Sequence, residues 1–187
     1  MRSSLSRGGA RKSKKSPAPE LEKGTFDYIR EPKSDCFSVG FAKTDVMPDD
    51  MDKTAYYVAG YRMNNPAKGV LDPMTASAVW IDDLSGRGGV VFVSIDDIGL
   101  TNYDVGIIRD LLADFKKESG CRSINIMSIH NHASIDTVGL WGPIPRSGRN
   151  KKYMELLAQK VKQVVFDAYN AVSYTHLRAH ETDQYLV

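Results

Sequence analysis

GGVVFVSIDDIGLTNYDVGIIRDLLADFKKESGCRSINIMSIHNH, residues 88–132, decides the fold. Val90 to Ile95 is nearly all apolar and β-branched, the composition expected of a strand covered on both faces. The next stretch, LTNYDVGIIRDLLADFKKESG, predicts a helix. Thr101 can cap it, Asp104 sits three residues on near the positive end of the macrodipole, and Gly120 lies just past a lysine-bearing last turn. Val105, Ile108, Leu111, Leu112 and Phe115 make its buried stripe. RSINIMSI then predicts a second core strand, so strand, helix and strand run in an order suited to a right-handed parallel βαβ unit. His130 and His132 emerge at the carboxyl end of that second strand, where open α/β sheets place their ligands.

Upstream, CFSVGFAKTDV (36–46) alternates Phe37, Val39 and Phe41 with smaller or polar residues, the period of a strand with one buried face. TAYYVAGYRM (54–63) and MTASAVWID (74–82) also predict strands, separated by the turn-forming NNPAKGVLDP, so four strands are expected before any helix. Downstream, residues 131–150 carry no periodic pattern, and loops of that length in a compact domain are commonly functional or disordered. KKYMELLAQKVKQVVFDAYNA (151–171) is a final helix with Tyr153, Leu156, Leu157, Val161, Val164, Val165 and Ala168 on one face. The expected class is α/β: a mixed sheet of several N-terminal strands, a βαβ unit and a C-terminal helix.

The 187 residues are 42% hydrophobic and 26% charged, an ordinary globular balance that excludes a fibrous protein. Residues 1–34 are Ser, Lys, Arg, Gly and Pro with hardly an apolar side chain, a composition that buries too little to offset chain entropy, and they are expected to form a disordered basic arm. Arg2, Arg7, Arg11, Lys12, Lys14 and Lys15 precede the first acidic residue, Glu20, but no aromatic interleaves them, so the arm is expected to be a solubilising leader and not a nucleic-acid grip. Cys36 and Cys121 lack metal-type spacing and are expected to be reduced thiols. No stretch approaches the ~20 apolar residues that span a bilayer, and no apolar signal core follows the basic start. A cytoplasmic location is expected; oligomeric state is not legible.

The stretch after Ala171 departs from everything before it. VSYTHLRAHET, Val172 to Thr182, is the translation of GTC TCT TAT ACA CAT CTC CGA GCC CAC GAG ACx, which resembles the transposase adapter of short-read library preparation across eleven consecutive codons. Residues 172–187 are therefore expected to be a non-native tail without packing contacts, leaving 35–171 as an incomplete domain. His176 and His180 in this tail have a helical metal-ligand spacing and are assigned no function.

His130 and His132, two apart on an extended segment, point to the same side and can face a common cavity. Imidazole ligates zinc, but a catalytic zinc usually takes three protein ligands and an open water position, and this pair offers two at most. Surface or satisfied polar histidines are the alternative. Asp136, four residues beyond His132, could orient an imidazole or be an exposed loop aspartate. Asp45, Asp96 and Asp97 stand at strand ends, either lining a site or capping turns.

The succession FSVGFAKTDVMP, AGYRM, TASAVWID, VVFVSIDDIGL, a helix and INIMSIHNHAS resembles the N-terminal part of the catalytic domain of the neutral/alkaline non-lysosomal ceramidases, over roughly Phe37 to Ala171. That family has a V-F-V-S-x-D strand leading through a helix to T-H-T-H-S; here Ile129 and Asn131 replace the threonines and Ala133 the serine. The resemblance implies a zinc-dependent amidase that cleaves the N-acyl bond of ceramide or a related substrate. It implies His130 as a zinc ligand and His132 as a catalytic residue contacting substrate or oxyanion, with a further histidine, a glutamate and a tyrosine completing the metal site beyond Ala171. A non-catalytic small-molecule-binding module on the same fold is the other reading.

Overall fold

The runs become β1, β2 and β3 because each alternates its side chains between a buried and a more open face. In the computed structural model, which describes residues 36–175, β1 (Phe37–Asp45), β2 (Thr75–Asp82) and β3 (Val90–Ile95) form an antiparallel meander, and β4 (Ser123–Ser128) lies parallel to β3. Between β3 and β4 come α1 (Asn102–Leu111) and α2 (Ala113–Ser119); a long loop after β4 leads to α3 (Lys151–Asn170). A short β5 (Ser173–Thr175) pairs antiparallel with β1, giving the sheet order β4-β3-β2-β1-β5. The α/β class, the mixed sheet, the βαβ unit and the C-terminal helix are as expected.

The core lies between one sheet face and the helices. Ala76, Ala78 and Trp80 of β2 and Val91, Val93 and Ile95 of β3 are buried against Leu157, Val161, Val164, Val165 and Ala168 of α3 and Ile108, Leu112 and Phe115 of the crossover helices. The helix sits very close to the sheet at Gly40, where an added Cβ would lie 1.9 Å from the Ala168 carbonyl oxygen. Opposite Gly40 in register is Trp80, whose ring meets Phe115 and Tyr169 edge-on and lies over Gly89, where an added Cβ would come 2.3 Å from it.

Five expectations are corrected. The apolar side chains of β1 are not its buried face: Ser38 and Gly40 turn to the core, while Phe37, Val39 and Phe41 take the other face. Residues 54–63 are not a sheet strand: Tyr57 bridges Pro66 and Val58 bridges Ile135. Their backbone bonds divide between residues just downstream (Val58 N to Asn65 O, 2.9 Å; Ala67 N to Tyr56 O, 2.7 Å) and the loop after β4 (Ala59 N to Ser134 O, 2.8 Å; Asp136 N to Tyr57 O, 2.8 Å), and Gly60 at φ 117° turns the chain away from any ladder. The crossover helix is broken at Leu112, whose N–H bonds the carbonyl three residues back, Arg109 O, at 3.1 Å. Leu112 and Phe115, 0% and 1% exposed, both still reach the core. β3 is covered on one face among the described residues: Phe41, Val79 and Phe92 form a row on the other, with Phe41 58% and Phe92 41% exposed. Finally, the start of the stretch after Ala171 does pack. Val172 lies against the core and residues 173–175 add to β1, because an open edge offers backbone groups that pair with almost any sequence. Residues 1–35 and 176–187, with His176 and His180, lie outside the described residues.

Candidate functional site

β4 ends at Ser128, but its neighbour β3 goes on holding the chain: Ile129 N bonds Ile95 O at 3.1 Å and Asn131 N bonds Asp97 O at 2.8 Å. Between those two bonds His130 takes a left-handed conformation, φ 63°, which is uncommon for a residue with a Cβ and occurs at constrained sites. The two imidazoles do meet, as the spacing predicted, although through this backbone turn and not along an extended strand. His130 Nδ1 lies 2.8 Å from Ile98 O. A carbonyl only accepts, so Nδ1 carries the proton and Nε2 presents a lone pair. His132 Nε2 stands 3.1 Å from that Nε2, with the rings at 87° and their centroids 4.7 Å apart. In the metal-free protein His132 therefore donates its Nε2 proton to His130. Its Nδ1 is then an acceptor, buried and without a partner.

The floor under His132 is Gly60. A Cβ there would come 2.4 Å from His132 Nδ1, so only glycine lets the ring lie where it does. Tyr61 packs on the same ring at 5.3 Å, tilted 39°, and Trp141 Nε1 donates to Gly60 O. None of these three residues is marked by a sequence motif; the Ala-Gly-Tyr turn inside an otherwise strand-like run is the one signal that a special backbone position lies there.

The long loop is ordered by polar groups turned inward. Asp136, fully buried, accepts from Val138 N (3.1 Å), Gly139 N (2.6 Å) and Trp141 N (2.8 Å). It thus neither orients an imidazole nor sits exposed, correcting both readings of it: it folds the loop that carries Trp141 to Gly60. Thr137 Oγ1 bonds Gly99 O at 2.6 Å, tying the loop to the turn after β3. Arg149 spans Asp104 and the Thr137 carbonyl (3.1 Å), fastening the loop's far end to α1. Burial alone would raise the Asp104 carboxyl, but the bonds from Arg149 and Thr101 outweigh it and hold the group below the ordinary carboxylate range.

The remaining strand-end aspartates separate by environment. Asp45 accepts from Met47 N in a local turn, and Asp96 accepts from Thr75 N and Oγ1 at 2.8 and 2.7 Å, clamping β2 to β3; both are structural. Asp97 is different. It is 0% exposed and neither carboxylate oxygen has a hydrogen-bond partner. Burial pushes its carboxyl up to about 6; the Ser128 hydroxyl, near enough to favour the ionised form but outside hydrogen-bond geometry, only partly opposes this, and the charges of Asp96 and Asp104 add to the rise.

A neutral imidazole with its Nδ1–H fixed on a backbone carbonyl and its Nε2 outward is the form in which histidine ligates metals, so His130 fits a metal ion. Among the described residues, no group of three or more His, Cys, Asp or Glu could hold one.

No family model matches the sequence, and no curated protein matches it. Solved structures do. One of a ceramidase complexed with C2 superposes with a TM-score of 0.54 at 14% identity, over 73% of this chain and 22% of the other. One of the neutral ceramidase from Pseudomonas aeruginosa gives 0.52 at 13% identity, with the same coverage. The chain thus spans about a fifth of the length of the ceramidases it matches, and over that span it has their fold.

Proposed function

We propose that this chain belongs to a metal-dependent amide hydrolase of the ceramidase type, acting on the N-acyl bond of ceramide or a related substrate. The observation that carries the reading is the His130 imidazole, its tautomer set by Ile98 O and its Nε2 converging with that of His132 at 3.1 Å, at the end of a strand in a ceramidase-like fold. His130 would hold a zinc ion through Nε2. When bound, zinc lowers the pKa of its water towards neutrality and polarises the amide carbonyl. His132, released from His130 by the ion, would turn its Nε2–H towards the oxygen that gains charge as the amide carbon becomes tetrahedral. Tyr61 and Gly60 hold that ring in place. Beside the histidine loop an apolar cleft of about 510 Å³, with Met47, Met51, Val70, Leu71, Met74 and Ile129 among its walls, has the size and character to take an acyl chain. Further zinc ligands come from outside the described residues, and the compartment we propose is the cytoplasm; no described helix is long and apolar enough to cross a membrane.

The test is a pair of substitutions in the complete protein. His130→Ala should lose zinc and hydrolysis of a fluorogenic ceramide together. His132→Ala should keep most of its zinc while turnover falls by ~10²–10³-fold, as when one donor to an oxyanion is removed. Full zinc and near-normal turnover in both variants would refute the proposal. An N-acyl ligand bound without metal and without turnover would favour the binding-module reading.

A further inference from the structure

Large apolar side chains left in water gather around the histidine turn. Leu71 is 97% exposed, Tyr61 93% and Ile144 78%, and Met63, Ile129 and Leu140 are exposed beside them. Singly such residues need no explanation, but a cluster marks a contact surface. Leu71 and Ile129 stand on the walls of the cleft of about 510 Å³, Tyr61 packs on the His132 ring, and Asn64 N bonds Trp141 O at 3.0 Å, joining the segment of Met63 to that of Leu140. Ile144 sits farther along the same loop, in a turn closed by Arg146 N on Pro143 O at 2.6 Å.

The charges on these segments have one sign. Residues 55–71 and 137–154 carry Arg62, Lys68, Arg146, Arg149, Lys151 and Lys152 and no carboxylate. Arg149 is held by Asp104 and Lys152 acts on Asp50, but Arg62, Lys68, Arg146 and Lys151 are exposed. Asp72 and Glu155 border the two segments and offset only part of this charge, while Asp49, Asp50 and Asp52 belong to the Met47–Met51 wall. Aliphatic knobs spread over two loops with cations between them do not make the closely fitted patch that another protein packs against. Hydrocarbon tails accept knobs of any shape, and Arg and Lys beside them reach the lipid phosphates.

We propose that this rim is a docking surface for an anionic lipid bilayer. Leu71, Leu140 and Ile144 enter the acyl layer, Tyr61 lies at the level of the headgroups, and Arg62, Lys68 and Arg146 meet the phosphates. The chain then lies on the membrane without crossing it, with the cleft mouth at the lipid. What the docking serves, delivery of an acyl chain to the cleft, rests on the proposed amide hydrolysis; the surface itself does not.

Ile144→Trp in the 187-residue chain puts a fluorescent reporter in the turn, read as the difference from the parent with its Trp80 and Trp141. With vesicles of equal parts phosphatidylcholine and phosphatidylglycerol its emission should shift to the blue and be quenched by lipids spin-labelled in the acyl chain. Leu71→Ser combined with Ile144→Ser should weaken partitioning by about tenfold or more and leave the thermal midpoint unchanged, since both side chains are already in water. Lys68→Gln and Arg146→Gln should each weaken it by about fivefold on these vesicles and not on phosphatidylcholine alone. The basic residues from Arg2 to Lys15 are present in every variant. Binding through them alone would leave the reporter unshifted and the variants equal to the parent, and that result overturns the proposal. So does an absence of binding, or a blue shift that grows with protein concentration without vesicles, which would give the rim to a second copy of the chain. His130→Ala should dock as the parent does. Loss of zinc or turnover in that variant leaves the surface standing, and failure of the parent to dock with hydrolysis intact refutes the surface alone.

Discussion

A methyl group at position 60 has nowhere to go. Gly60 needs φ 117°, which L side chains rarely adopt, and its Cβ would fall 2.4 Å from His132 Nδ1. Gly60→Ala is therefore expected to cost ~1–3 kcal/mol through backbone strain alone and to push the His132 ring off His130. A lowered thermal midpoint together with loss of the contact between the two imidazole rings by NMR would show it; an unchanged midpoint would refute it. Asp97 gives the second prediction. Its carboxyl is raised from 3.8 to about 6 by burial, so folding disfavours the ionised form. The stability tied to this group is complete below pH 3.8 and is lost as pH rises through about 6, at most about 3 kcal/mol for a shift of this size. Asp83, held down to about 2 chiefly by its bond from the Ser85 hydroxyl, works the other way and loses its contribution only as pH falls below the ordinary carboxylate range. Urea midpoints measured from pH 4 to 7 should decline through this window in the parent and stay flatter in Asp97→Asn.

Elements whose signals are local were legible, and those whose partners lie far along the chain were not. The α1 start is the clearest case: Thr101 Oγ1 accepts from Asp104 N at 3.3 Å while the Asp104 side chain accepts from Thr101 N at 3.2 Å, a reciprocal capping box spelled out within four residues. Thr101→Ala should lower stability by ~1 kcal/mol, read as a shifted denaturant midpoint with unchanged slope. Gly120, at φ 68°, closes α2 where the sequence put the stop. In contrast, Ala55-Tyr-Tyr-Val58 has the alternation of a strand, yet its backbone bonds divide between the nearby residues 65–67 and distant Asp136, and nothing in the local pattern names the distant partner. The same holds for the histidines. Their adjacency and place at a strand end could be read from the sequence, but the Ile98 carbonyl that fixes the tautomer and the glycine beneath the ring belong to other segments. Asp136 looked like a loop aspartate because burial of a polar side chain depends on what the whole loop does, not on its neighbours in sequence.

At the scale of the molecule, the sheet is closed on its helix side and extended at one edge. β5 contributes a three-residue ladder to β1, and Val172 lies against the core beside Gly40. If that ladder stabilises the fold, a chain ending at Ala171 should melt about 2–4 °C below one ending at Thr175, the shift expected for ~1 kcal/mol in a protein of this size. Equal midpoints would mean that the tail's pairing adds no stability. The row Phe41, Val79, Phe92 on the other sheet face sits in a fold that matches only 22% of the ceramidase chains it resembles, so the likeness leaves most of those larger bodies unrepresented here.

The parallel pairing of β3 with β4 also sets an order of events. β2 and β3 are joined by residues 83–89 and can zip together as a hairpin, whereas β4 reaches β3 only after residues 96–122 have coiled and crossed over. Closing the longer loop costs more chain entropy before any contact rewards it, so the crossover pairing is the slower step. His130 and His132 stand at the far end of that last-joined strand, held by carbonyls of the turn after β3. Refolding chains should thus acquire a protected meander first and an ordered histidine turn only at the end.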